Sequence, residues 1–223
     1  MNDIKIEKII RSNRKTIAIK PTENGTIIVK APKKATNKLI IEIIEQHKDK
    51  ILKKLKELEK IKENNFKQFV AGEEFLYIGK VYKLYIVENL ETPLKFQDGF
   101  YLSKDCQNQG KEIFTEWYKN QAKIIIPNRV IHWAERCGYN IKKIGITNAN
   151  RQWGSCSSKG NLNFSWRLIL APLEVIDYVI VHELSHLKEL NHSKNFWNEV
   201  KKCMPEYKEY HDWLRKNSFK LKF

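Results

Sequence analysis

Residues 177–197 read DYVIVHELSHLKELNHSKNFW, and the fold of the C-terminal half follows from how this run is read. Ile176, Val179, Ile180, Leu184 and Leu187 recur at helical spacing. Pro172 stands where a helix opens, so the pattern predicts a helix over 173–190. His182-Glu183-Leu184-Ser185-His186 is an HExxH pattern on that helix. Positions i and i+4 differ by about 40° in direction and one turn in height, so both imidazoles can reach one cation. Glu183 is offset by about 100° and can lean over an open coordination position without being a ligand.

A catalytic metal site needs a third protein ligand, and neutral imidazole suits Zn²⁺. His192 lies ten residues after His182, about 15 Å along the axis of a continuous helix, which no single ion spans. The helix is therefore expected to stop near Leu190, with Asn191 as a left-handed terminator and the chain reversing to return His192. Glu189 is the rival ligand, but it sits about 10.5 Å up the axis. Accepting a proton from a ligand imidazole fits it better. His182, His186 and His192 with Glu183 make H-E-x-x-H-x5-H, the histidine spacing of metzincins. Glu189 replaces that motif's turn glycine, and no Met-turn follows.

Upstream of the helix, KKIGITNA reads as a strand, RQWGSCSSKG as a turn-rich segment and NLNFSWRLIL as a second strand. Leu162, Phe164, Trp166, Leu168 and Leu170 are expected to share one face of the latter. Gly154 would let backbone approach closely, and Trp153 and Cys156 read as packing residues. Further out, residues 109–137 read as a helix interrupted near Pro127 and closed by Cys137-Gly138. Residues 75–102 are strand-rich, with a hairpin at Asp98-Gly99. Residues 3–30 hold three short strands with a turn at Glu23-Asn24-Gly25, and a long amphipathic helix capped by Thr36 or Asn37 runs to about Asn64. After the motif, two short helices are expected around Pro205, with Phe196, Trp197, Val200 and Trp213 packed behind the HExxH helix. The class is α+β: a strand-and-helix region over 1–108, then a zincin-like region over 109–223 with its motif helix under a small sheet. A softer boundary falls between Asn65 and Ala71.

The 223 residues carry 41 Lys+Arg against 26 Asp+Glu, a net charge of +15, with +9 in residues 1–70 alone. That excess attracts polyanions, so nucleic acid is a second candidate partner. Only 7 of the 41 cations are Arg, which favours backbone contact over base reading. Composition excludes collagen-like and low-complexity chains, and no run is long and apolar enough for a membrane span. The start, MNDIKIEKIIRSNRK, lacks a signal-peptide core, so a cytoplasmic protein is expected. Cys106, Cys137, Cys156 and Cys203 form no CxxC pair and read as free thiols, which excludes a zinc ribbon. His47, His132 and His211 read as isolated.

RQWGSCSSKGNLNFSWRLILAP followed by DYVIVHELSHLKELNHSKNFW resembles the YgjP-like metal-dependent hydrolases. The resemblance runs from about residue 1 to 217 and is sharpest from Trp153 to Trp197. It implies a metallopeptidase with one Zn²⁺ on His182, His186 and His192, Glu183 as the catalytic residue, and a peptide or protein substrate. The motif is also similar to those of the WLM and SprT-like proteases, which act on DNA–protein crosslinks. Glu183 is then expected to take the proton of the attacking water. Arg151, Tyr178 and Asn195 are candidate donors to the developing oxyanion. An extended peptide could add as a strand along the RQWGSCS segment or the strand after it.

Overall fold

Alternation in TIIVKAP puts Ile27, Val29 and Ala31 on one face, and all three are fully buried. In the computed structural model, which describes residues 4–22, 24–65, 67–221 and 223, they form the centre of a small N-terminal unit. Chain packing divides the protein into Met1–Phe66 and Lys67–Phe223. In the first unit β3 (Thr26–Pro32) lies between β1 (Lys5–Ser12), to which it is parallel, and β2 (Ala18–Pro21), to which it is antiparallel. Gly25, at φ 73°, makes the β2–β3 turn, and Glu23 lies outside the described residues. Thr36 caps α1 (Asn37–Gln46), its hydroxyl accepting the Leu39 N–H at 3.2 Å. The single long helix expected here is two, α1 and α2 (Lys48–Asn65). His47 leaves the helical region at φ −112°, ψ 12°, and its N–H turns back to the Ile44 carbonyl. Ile40, Ile44, Ile51 and Leu55 complete this unit's core.

The second unit opens with the sheet β4 (Glu74–Tyr77), β5 (Lys80–Val87), β6 (Leu94–Phe96) and β7 (Phe100–Ser103), in the order β4-β5-β7-β6. Ile78 and Gly79 both take positive φ, the backbone a two-residue hairpin with the sheet's own twist requires. The sheet packs with α3 (Gly110–Cys137), so position 108/109 falls inside this unit. Phe114, Tyr118, Ala122, Ile126 and Val130 form a fully buried stripe at intervals of four. That burial carries α3 unbroken through Pro127, where an interruption was expected. Gly138 (φ 70°) closes it as a left-handed cap.

The second sheet of this unit has β10 (Asn161–Ser165) at its centre, parallel to β8 (Lys143–Thr147) and antiparallel to β9 (Gly154–Cys156). β10 ends five residues before the expected Leu170, because residues 166–170 wind into a 3-10 turn. The Ser165 hydroxyl accepts the Arg167 N–H, the Trp166 indole donates to the Asn148 side chain at 2.9 Å, and the Arg167 guanidinium lies 4.5 Å over the Trp166 ring. Leu162 and Phe164 thus share a strand face, whereas Trp166, Leu168 and Leu170 reach the core from the turn.

Then follow α4 (Leu173–Ser185), α5 (Lys194–Cys203) and α6 (Tyr207–Asn217), the last two on either side of Pro205 as expected. A half-buried ion pair ties α3 to α4: the Arg129 Nε donates to Asp177 at 2.7 Å, and its Nη2 donates to the other carboxylate oxygen. Cys137 and Cys203 are paired in a disulfide, with Cα atoms 5.7 Å apart. The free-thiol reading therefore fails for these two, since a separation of 66 residues says nothing of distance once α3 and α5 pack together; Cys106 and Cys156 are free. Among the described residues no helix is long and apolar enough to cross a membrane. The fold is α+β.

Candidate metal centre

α4 is buried nearly all round, from Val175 to Ser185, so the segment that carries the HExxH pattern has little freedom to move. It ends at Ser185 rather than near Leu190. His186 is the C-cap, but at φ −66°, ψ −14° it remains right-handed, so its ring keeps the i, i+4 relation to His182. A tight turn follows, with the N–H groups of Leu187 and Lys188 bonded to the Leu184 and Ser185 carbonyls. The reversal does not use a left-handed Asn191, which has no positive φ. Instead the Asn191 side chain accepts the Ser193 N–H at 3.1 Å, and the Ser193 hydroxyl caps α5 through the Phe196 N–H.

This turn delivers His192 back over the motif. Its Nε2 lies 2.9 Å from the Nε2 of His182, and one nitrogen from each of His182, His186 and His192 falls within 4.8 Å of the others. The His186 Nδ1–H donates to the main-chain carbonyl of Glu189 at 2.9 Å, which leaves its Nε2 free to point at a shared centre. The expected role of Glu189 is thus filled by its backbone, not its carboxylate. The buried Nδ1 of His182 has no hydrogen-bond partner among the described residues. Three convergent imidazoles, one with an unpartnered buried nitrogen among the described residues and one oriented from behind, fit a divalent cation that accepts nitrogen ligands.

Electrostatics around the cluster act in the same direction. Burial, followed by the neighbouring His186, His192 and His211, pushes His182 down to about 3, so its ring stays neutral. Burial and then His186 lower His192 as well. Burial alone raises Glu183 to about 7. Its side chain lines a cleft of about 360 Å³ with the three histidines, β9 and the exposed Leu190. Of the oxyanion candidates, Tyr178 comes against the cluster, with ring centroids 6.0 Å from both His182 and His211. Burial, then Tyr207 and Glu183, holds its hydroxyl well above the usual phenol range. Arg151 and Asn195 are exposed, and none of the three candidates lines the cleft.

Two residues gain significance from the structure. Phe196, expected only to pack behind the helix, is fully buried with its ring 4.5–4.9 Å from all three imidazoles, forming the floor of the cluster. The signal for this was its place at the third position of α5, four residues after His192. His211, read as isolated, lies beside Tyr178 and Trp197, and no local pattern around residue 211 announces that. Cys156 lines the cleft but is not one of the converging groups; burial and the nearby Glu183 raise its thiol.

No curated protein matches the chain. Two solved structures are similar over part of it, both metallopeptidase zymogens. Abylysin of Pyrococcus abyssi is 26% identical over 42% of this chain and 94% of its own, with a TM-score of 0.39. Jannalysin of Methanocaldococcus jannaschii is 24% identical over 41% and 95%, with a TM-score of 0.38. Residues 15–217 match the model of the YgjP-like metallopeptidase domain. The chain therefore belongs to the YgjP-like metallopeptidase family and is a metal-dependent peptidase.

Proposed function

We propose that the protein is a zinc peptidase that cleaves peptide bonds in peptide or protein substrates, with one Zn²⁺ on His182, His186 and His192 and Glu183 as general base. The observation that carries this is the approach of the three imidazoles around one point with the Glu183 carboxylate in the same cleft. When bound, the cation supplies a Lewis acid that polarises the scissile carbonyl and makes water a better nucleophile. Glu183 takes the proton of the attacking water and passes it to the leaving amine. A carboxylate whose affinity for protons is raised by burial suits both halves of that transfer.

β9 is an edge strand of its sheet, paired on one side with β10. Its residues 154–156 border the cleft, so an extended substrate would add there as a further strand and present its carbonyl to the cluster. Tyr178 is the candidate donor to the oxyanion, being the one proposed group that reaches the histidines.

The test is Glu183→Gln in zinc-loaded protein, with fluorogenic casein as probe. Zinc should be retained and hydrolysis lost. Cleavage at the wild-type rate would remove Glu183 from the mechanism.

A further inference from the structure

The Glu183 carboxylate has no hydrogen-bond partner among the described residues, although the residue is only 7% exposed. With no donor or cation among the described residues to aim it, its direction depends on the walls it lies against. One wall is Gly154, the first residue of β9, held in register opposite Phe164 of β10. A Cβ built on Gly154 would stand 2.5 Å from the Glu183 Cγ, 2.7 Å from its Oε1 and 2.9 Å from its Cδ. All three distances are below any ordinary carbon contact, and all three atoms lie beyond the Cβ of one flexible side chain.

We propose that Gly154 is a positioning residue: the missing side chain at the start of β9 is the space in which the Glu183 carboxylate lies, and any larger residue swings that carboxylate away from the reacting water. This rests on the general-base reading of Glu183. Steric shape, with no directed bond, then aims the base. Gly154 has no positive φ, so an Ala there carries no backbone strain. Phe164, its partner across the ladder, is fully buried and fixes β9 from the other side. Of the two things that could yield to a new Cβ, a flexible carboxylate arm and an anchored strand, the arm gives way.

The consequence is a pair of residues whose effects do not add. Asp at 183 withdraws the carboxylate by one methylene from the reacting water, so a Cβ on residue 154 meets a base that is already displaced. Zinc content, thermal midpoint and casein hydrolysis should be measured for wild type, Gly154→Ala, Glu183→Asp and the double variant. Gly154→Ala should keep its zinc and its midpoint and lose about 100-fold in kcat, the scale of a misplaced catalytic group. The same change in the Glu183→Asp background should cost little further activity. Equal fold-losses in both backgrounds, or wild-type kcat in Gly154→Ala, would overturn the proposal.

A crystal structure of metal-free Gly154→Ala gives a readout independent of turnover. The Glu183 side chain should be rotated with β9 in place; an unmoved carboxylate beside a shifted β9 refutes the idea. If Glu183→Gln proves fully active, the general-base reading falls, while the carboxylate's position in that crystal still decides whether Gly154 sets it.

Discussion

Phe196 lies nearly flat on His186, ring centroids 4.5 Å apart and planes inclined by 29°, so one aromatic side chain of α5 supports the imidazole cluster at the end of α4 from below. Phe196→Ala should therefore do two things at once. Removing a fully buried ring leaves a cavity that costs about 3–4 kcal/mol, read by chemical denaturation of metal-free protein. Loosening the ligands should weaken zinc about 10-fold in a competition titration, the scale of losing a group that orients a metal ligand. Phe196→Leu should recover most of the stability. Unchanged zinc affinity in the Ala variant would show that the floor does not hold the rings.

Metal-free protein should reveal the buried carboxylate through its pH dependence. Glu183 is raised from 4.5 to about 7 in the fold, so the native state holds its proton more tightly than the unfolded chain. Its contribution is fully favourable below about pH 4.5 and is lost as pH rises through 7. His182 works oppositely: lowered to about 3, it loses stability as pH falls below the ordinary imidazole range. Glu183→Gln should thus be more stable than wild type at pH 8, by up to about 3 kcal/mol, with the difference vanishing towards pH 4. Equal midpoints for the two proteins at pH 8 would contradict the burial of Glu183. The His182 effect is common to both and cancels.

The Cys137–Cys203 disulfide closes a loop of 66 residues that contains β8–β10 and the whole of α4. Constraining the unfolded chain over that length is worth about 4 kcal/mol. Reduction, or the Cys137→Ser/Cys203→Ser double variant, should lower the thermal midpoint by several degrees and leave the zinc-site residues in place. A midpoint indifferent to reductant would show that the bridge does not form in solution.

What the sequence disclosed, and what it hid, has physical causes. The HExxH pairing was legible because helical geometry is local: four residues fix both direction and rise. The return of His192 was legible because the alternative, a straight helix, puts it too far away. The means of return were not, since it uses the side chains of Asn191 and Ser193 where a left-handed terminator was expected. Tertiary burial overrode local signals twice. The Phe114-to-Val130 stripe carries α3 through Pro127, and the contacts of Trp166 with Asn148 and Arg167 bend the chain out of β10. Contacts between distant segments left no trace in the pattern, as with the disulfide, with His211 beside Tyr178, and with Gly154 against Glu183.

We propose that His182, His186 and His192 together hold one divalent ion. Elemental analysis of purified wild type and His192→Ala, each dialysed against trace zinc, is the test. One zinc per chain in the wild type, falling to near zero when the third imidazole is removed, is the predicted result. Undiminished zinc in His192→Ala, or none in the wild type, would contradict it.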